Sequence, residues 1–204
     1  MKDRFIEATE TAIAKLVADF QEYPDRFWNE RDLHWSLFYY LKQQGVVQEA
    51  YATQLVRAEF PTQKKFGTKS PARGHYDLVI LEPESYFTPA VQKMEADDPW
   101  DDFLKLTKVV VAVEIKLWLA RLQLETLKER VGWDIRKLTE PPNNVLNAFF
   151  LNFVQLDFNR KHNHEYYEKL RDYLTSQKRQ WPGLKILCVP SDIRIQPQPA
   201  HNWV

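Results

Sequence analysis

Ten residues in the middle of the chain read Val109-Val-Val-Ala-Val-Glu-Ile-Lys-Leu-Trp118. The β-branched valines predict a strand, and a run this apolar is typical of a central strand covered on both faces. Because side chains alternate along a strand, Glu114 and Lys116 project from the same face. A buried carboxylate or ammonium is unfavourable unless it is paired, so we expect compensating groups around both side chains.

Asp77 is the first expected neighbour of Glu114. It lies at the head of a second predicted strand, around residues 75–81, and a hairpin-like return of the chain would bring it beside Glu114. Two carboxylates that share a site repel each other unless a cation bridges them.

Glu30 is the second expected neighbour. A helix is predicted from about residue 29 to residue 44, with Asn29 as its N-cap and Gly45 at its end. At about 100° per residue, Glu30 points along the apolar stripe of this helix and therefore faces the protein. The alternative interpretation is that Glu30 only complements the helix dipole in the first turn.

The remaining hydrophobic patterns predict one mixed α/β domain with a single central sheet. Its expected elements are a helix up to about Phe20, strands near 54–60, 145–156 and 184–189, and helices near 122–138 and 165–180. The domain is expected to span residues 1–204, with a core of about 25–190 and a loosely held tail from 191.

Composition limits the kind of protein. The 204 residues carry 28 Lys plus Arg and 28 Asp plus Glu, which excludes a basic coat over the whole surface, and 44% hydrophobic residues are ample for a core. The single cysteine, Cys188, excludes an intrachain disulfide and a cysteine metal cluster. Because the sequence has neither a long apolar run nor a secretory signal pattern, we expect a cytoplasmic protein without a membrane partner.

Two charged segments interrupt the predicted strands. Residues 63–74 contain Lys64, Lys65, Lys69 and Arg73 and no acid, whereas residues 95–102 contain five acids and no base. A solvated loop is the ordinary interpretation of each segment. The basic segment leads directly into Asp77, so we expect its cations to approach a nucleic-acid backbone. The acidic segment alone favours a different interpretation, in which it recruits a basic partner.

Three inward carboxylates, a lysine and a neighbouring basic segment suit metal-assisted phosphodiester hydrolysis. Carboxylate oxygens are ligands that Mg²⁺ prefers, and Mg²⁺ also takes phosphate oxygens of a substrate. The metal can acidify a bound water and neutralise charge in the transition state, and a lysine beside it can orient or deprotonate that water.

The combination of Asp77, Glu114-Ile115-Lys116 and a helical Glu30 resembles the PD-(D/E)xK nuclease superfamily, which includes many restriction endonucleases and Holliday-junction resolvases. The resemblance implies a restriction-endonuclease-like mixed sheet flanked by helices. Its α-βββ-α-β core would have an extra N-terminal helix and a C-terminal helix and strand. The chain departs from the pattern in having Tyr76, not proline, before the aspartate, and in its long spacing between Asp77 and Glu114.

The resemblance also implies roles for individual residues. Asp77 and Glu114 would bind Mg²⁺ or Mn²⁺, with the Ile115 carbonyl as a further ligand and Glu30 completing the site. Lys116 would serve the nucleophilic water. The expected function is a Mg²⁺-dependent deoxyribonuclease, with RNA as a less favoured substrate. The alternative is a catalytically silent module of the same fold that binds nucleic acid or protein, and a homodimer or a partner protein is compatible with either.

Three further residues are secondary candidates. Asp134 and Lys137 lie on the helix after the Glu-Ile-Lys strand, where Lys137 is a candidate for contacting substrate phosphate. A surface ion pair between Asp134 and Lys137 is the favoured interpretation. Glu59 would join the metal site if the alternation of its strand points it inward.

Overall fold

A five-stranded sheet forms the centre of the described part of the protein. A computed structural model describes residues 2–48, 52–66, 72–91, 93, 100–119, 124–143, 145–156 and 163–191. The strands are β1 (Val56–Phe66), β2 (Ala72–Leu81), β3 (Val109–Leu119), β4 (Val145–Gln155) and β5 (Leu184–Pro190). They lie side by side in chain order. The pairs β1–β2 and β2–β3 are antiparallel, and the pairs β3–β4 and β4–β5 are parallel.

Helices flank this sheet and supply the crossovers that parallel strands require. They include α1 (Lys2–Glu22), α2 (Glu30–Lys42), α3 (Gly45–Gln48), α4 (Ala52–Leu55), α5 (Pro83–Tyr86), α6 (Trp100–Leu106), α7 (Leu124–Thr139) and α8 (Asn163–Gln180). Helix α7 connects β3 to β4, and α8 connects β4 to β5. The α/β class and the mixed sheet flanked by helices are therefore confirmed. The helices of the described residues include none that is long and apolar enough to cross a membrane.

Strand β3 is central, as its valines predict. It pairs with β2 on one side and with β4 on the other, and residues 109–115 are all buried. Helices α1, α2 and α7 all contact it. The polar side chains of this strand therefore lie in the interior of the domain.

Strands β2 and β3 stop pairing before β3 ends. Among the described residues, the β2–β3 pairing runs from Leu81 opposite Val109 to Leu78 opposite Val113. The β3–β4 pairing continues to Leu119 opposite Gln155. The second half of β3 therefore has a strand neighbour on one side only, and this is where Glu114 and Lys116 lie.

Both charged segments are more regular than predicted. The basic segment is not a loop throughout, because β1 extends to Phe66 and β2 starts at Ala72. Lys64, Lys65 and Arg73 thus lie on strands, whereas Lys69 is outside the described residues. In the acidic segment, residues 94–99 are also outside them, but Asp101 and Asp102 belong to the first turn of α6. Charged side chains concealed the strand and helix patterns in both places.

Candidate functional site

Asp77 lies where the β2–β3 pairing ends. Its Oδ2 accepts a hydrogen bond of 2.6 Å from the Ile115 backbone N–H, so the carboxylate replaces the carbonyl that a continued ladder would supply. Burial raises the pKa of Asp77, but His34, Lys116 and the Ile115 N–H together outweigh burial and hold it below the ordinary value. Asp77 is therefore ionised at neutral pH.

Glu114 is the most deeply buried acid of the site. Its exposed fraction is 0%, and its Oε2 lies 2.7 Å from Lys137 Nζ. Its Oε1 makes no hydrogen bond to any described residue. Burial, and after it the charge of Asp77, raise the pKa of Glu114 well above the ordinary value. The carboxyl group thus has an unsatisfied oxygen, and its ionised form needs a cation.

Lys116 is held between two elements. Its Nζ lies 3.2 Å from Asp134 Oδ2 on α7 and 3.5 Å from Glu30 Oε2 on α2. Burial lowers the pKa of Lys116, but the charges of the surrounding acids, Asp134 first, outweigh burial and raise it. Lys116 is therefore an ammonium cation at neutral pH.

Helix α7 contributes Asp134 and Lys137 to the same site. Their ion pair has the predicted spacing and a separation of 2.8 Å, but the expectation that it lies on the surface is wrong. Asp134 is only 7% exposed, and Lys137 reaches Glu114. Helix phase could have shown this, since Asp134 points within about 40° of the buried Leu127 and Leu138.

The stem of Lys137 passes over Gly74. A Cβ atom at position 74 would lie 2.9 Å from Lys137 Cδ, which is closer than side-chain carbons pack. The absence of a side chain at Gly74 lets Lys137 Nζ reach both Glu114 and the His75 carbonyl, 3.0 Å away. Burial lowers the pKa of Lys137, but Glu114 and Asp134 outweigh burial and raise it.

Helix α2 contributes Glu30 and His34. The prediction of Asn29 as N-cap is confirmed, because its side chain accepts a 2.8 Å hydrogen bond from the Arg31 N–H. This cap starts the helix at Glu30, whose half-exposed side chain reaches Lys116. One turn later, His34 Nε2 lies 3.3 Å from Asp77 Oδ2. Sequence reasoning missed His34, although its spacing of four from Glu30 places it on the same helix face.

Glu59 joins Asp77 and His34, not Glu114. The pairs Ala58–Leu78 and Phe60–Tyr76 place Glu59 opposite Asp77 on the neighbouring strand. One ligand atom from each of His34, Glu59 and Asp77 lies within 4.8 Å of the other two. Within the described residues, the predicted set of Glu30, Asp77 and Glu114 forms no group this compact, because Glu30 is turned towards Lys116.

The described cations of the basic segment are all paired with acids. Lys64 Nζ lies 2.5 Å from Glu140 Oε2, and Lys65 Nζ lies 3.3 Å from Asp101 Oδ2. Arg73 also forms an ion pair with Asp101. The acidic segment thus neutralises part of the basic segment, and a phosphate group would have to compete with these carboxylates.

Six charged side chains, Lys116 among them, form what we call the acid–lysine cluster. Its members are Glu30, Asp77, Glu114, Asp134, Lys116 and Lys137. When Glu114 is ionised, four carboxylates face two ammonium groups and leave two negative charges. A single divalent cation would balance them. The carboxylate oxygens and the unpartnered Glu114 Oε1 fit a hard ion such as Mg²⁺, which Asp77 and Glu114 would hold.

In comparisons with known proteins, no family model, curated protein or solved structure matches this chain.

Proposed function

We propose that the protein is a metal-dependent nuclease of the PD-(D/E)xK type, with a restriction-endonuclease-like fold, that hydrolyses phosphodiester bonds in DNA. One observation carries the proposal. Ionised Asp77 is bound to the Ile115 N–H beside buried Glu114, which has an unpartnered oxygen, and the Lys116 cation lies two residues further along β3.

Asp77 and Glu114 are the residues proposed to hold Mg²⁺ or Mn²⁺, with the Ile115 carbonyl as a proposed further ligand. When bound, the metal supplies an acidified water and positive charge for the phosphate in the transition state. Asp77 is already ionised and ready to accept a cation, whereas the ion pair of Glu114 among the described residues is with Lys137 and leaves its Oε1 without a partner. A cation at this point would relieve the repulsion between the two carboxylates.

The raised pKa of Lys116 favours one of its two expected roles. A lysine that acts as a general base must lose its proton, and the surrounding acids keep the proton on Lys116. Lys116 is therefore proposed to donate hydrogen bonds to the attacking water or to a phosphate oxygen. Asp134 and Glu30 hold its ammonium group from two sides and so position it.

The basic segment, residues 63–74, joins the antiparallel strands β1 and β2, and this basic hairpin is proposed to approach the DNA backbone. Lys64, Lys65 and Arg73 are described there, and Lys69 belongs to the same segment of sequence. A phosphate that displaced Asp101 from Arg73 and Lys65 would gain two cations at once. Lys137 is a weaker candidate for phosphate contact, because its ammonium group already forms ion pairs with Glu114 and Asp134.

A second candidate function is binding of nucleic acid or protein without turnover. The contact of Lys137 with Glu114 Oε2 favours it, because one oxygen of a proposed metal ligand already has a cation from the chain itself. In that case the acid–lysine cluster would stabilise the fold and the hairpin would carry the binding.

A substrate panel separates these functions. Purified protein is incubated with supercoiled plasmid, linear duplex, branched DNA, single-stranded DNA and RNA, each with Mg²⁺, Mn²⁺ or EDTA. We expect cleavage of at least one DNA that EDTA abolishes. DNA binding without cleavage under any metal condition would favour the second function. Neither binding nor cleavage would contradict the nuclease and leave protein binding as the remaining form of the second function.

A further inference from the structure

The contact between His34 and Asp77 differs from the other charged contacts of the site. His34 Nε2 is shielded from solvent and lies 3.3 Å from Asp77 Oδ2, yet it makes no aligned hydrogen bond with the described residues. Asp77 Oδ2 already accepts a hydrogen bond from the Ile115 N–H. Two lone-pair atoms at this distance attract each other only through a shared proton or a shared cation.

Glu59 provides a third donor atom at the same place. It lies opposite Asp77 on β1. One of its carboxylate oxygens is within 4.8 Å of a ring nitrogen of His34 and of a carboxylate oxygen of Asp77. Its backbone φ of 51° is left-handed, which is uncommon for a residue with a side chain. Glu59 is also an exposed residue, so an ion can reach the site from solvent.

The separation of His34 Nε2 and Asp77 Oδ2 fits two ligands of one metal ion. Two adjacent ligands bound at about 2.0–2.2 Å in octahedral or tetrahedral geometry are about 2.8–3.6 Å apart. The observed 3.3 Å between His34 Nε2 and Asp77 Oδ2 lies in that range. Glu59 would supply the third ligand, from a carboxylate oxygen that lies within 4.8 Å of a ligand atom of each of the other two residues.

The donor chemistry determines which metal is suitable. Mg²⁺ prefers oxygen ligands and keeps much of its water, whereas imidazole nitrogen suits first-row transition metals. We therefore infer that His34, Glu59 and Asp77 form a binding site for a divalent transition-metal ion such as Zn²⁺. This site shares Asp77 with the proposed Mg²⁺ site but depends on two ligands of its own, and it does not require that the protein cleaves DNA.

Metal titration without nucleic acid tests the inference. Zn²⁺ and Mg²⁺ are titrated separately into the wild-type protein and variants by isothermal calorimetry. We expect one Zn²⁺ per chain, bound at least about 100-fold more tightly than Mg²⁺. His34→Ala and Glu59→Gln should each weaken Zn²⁺ binding at least about tenfold, since each removes a ligand. His75→Ala is the matched control, because His75 is an exposed histidine of β2.

The outcomes are distinguishable from failure of the proposed function. Glu114→Gln should weaken Mg²⁺ binding and leave Zn²⁺ binding intact, because Glu114 is not part of the histidine site. Zn²⁺ bound no more tightly than Mg²⁺ would overturn the inference and favour a shared proton between His34 and Asp77. Equal loss in His75→Ala, or unchanged binding in Glu59→Gln, would also overturn it. Because Glu59 is exposed, Glu59→Gln is expected to fold, and it tests the inference even if His34→Ala unfolds.

Discussion

Lys137 Nζ lies 2.7 Å from Glu114 Oε2, so a lysine of α7 neutralises the most deeply buried carboxylate of the central strand. The contact joins β3 to α7, the helix that follows it in the chain. It also gives Lys137 a structural role besides any contact with substrate.

Removing this lysine should destabilise the fold. In Lys137→Met, Glu114 stays buried without its cation and avoids an unpaired charge only by taking up a proton, so we expect the free energy of unfolding to fall by about 2–4 kcal/mol at pH 8. Adding Glu114→Gln should restore part of the loss, with a coupling of at least about 1 kcal/mol in the double-mutant cycle. Urea denaturation measures all four proteins.

Lys128→Met is the control for that cycle. Lys128 lies on the same helix and pairs with the exposed Glu125 at 2.9 Å, so its loss should cost less than about 1 kcal/mol. A loss in Lys137→Met as small as that of the control would contradict the structural role of Lys137.

Stability without metal should depend on pH through Glu114. Its folded-state pKa is raised above the ordinary 4.5, so the native chain binds more protons than the unfolded chain between pH 4.5 and the raised value. The contribution of Glu114 to the free energy of unfolding therefore decreases as pH rises through that window. As pH rises through that window, the free energy of unfolding of Glu114→Gln should increase relative to that of wild type by up to about 1.4 kcal/mol per pH unit. Urea denaturation in EDTA measures the difference, and a difference independent of pH would refute the assignment.

Asp101 should restrain DNA binding by the hairpin. Asp101→Asn removes the carboxylate that pairs with Arg73 and Lys65, so we expect tighter DNA binding. The slope of the logarithm of the binding constant against the logarithm of the salt concentration should be steeper by about one to two. Asp102→Asn changes the net charge equally but releases only Lys105, 2.9 Å away. Fluorescence anisotropy over a range of salt concentrations compares the two variants. Equal effects would show that overall charge matters and the hairpin does not.

The start of α2 should depend on its cap. Asn29→Ala removes the acceptor of the Arg31 N–H and is expected to lower the free energy of unfolding by about 0.5–2 kcal/mol. Asn29→Ser keeps a capping oxygen, so its free energy of unfolding should fall by only about a few tenths of a kcal/mol. Thermal or urea unfolding distinguishes them, and equal losses would mean that the cap contributes little.

Local periodicity accounts for what the sequence could predict. The valines of β3 determine a central strand, and alternation along that strand places Glu114 and Lys116 together. Helix phase likewise turns Glu30 inwards, and the structure places it within reach of Lys116. Each of these inferences needs only the regular geometry of one element.

Contacts between elements were not predictable in this way. The pairing of Lys137 with Glu114, of Arg73 with Asp101 and of His34 with Asp77 depends on how separate elements pack. The bounds of β1 and β2 were also missed, because Lys64, Lys65 and Arg73 lack the apolar alternation that identifies a strand. The burial of Asp134, by contrast, was predictable, because its position in the helix period turns it towards the buried side of α7.

The most direct test of the proposed function is the rate of metal-dependent DNA cleavage in Glu114→Gln compared with Glu125→Gln. Both variants remove one glutamate charge, but Glu125 is an exposed residue of α7 whose contact is with Lys128. We predict that Glu114→Gln lowers the Mg²⁺-dependent rate by about 10²–10³-fold, while Glu125→Gln stays within about twofold of wild type. Cleavage that survives Glu114→Gln undiminished would contradict the assignment of the site.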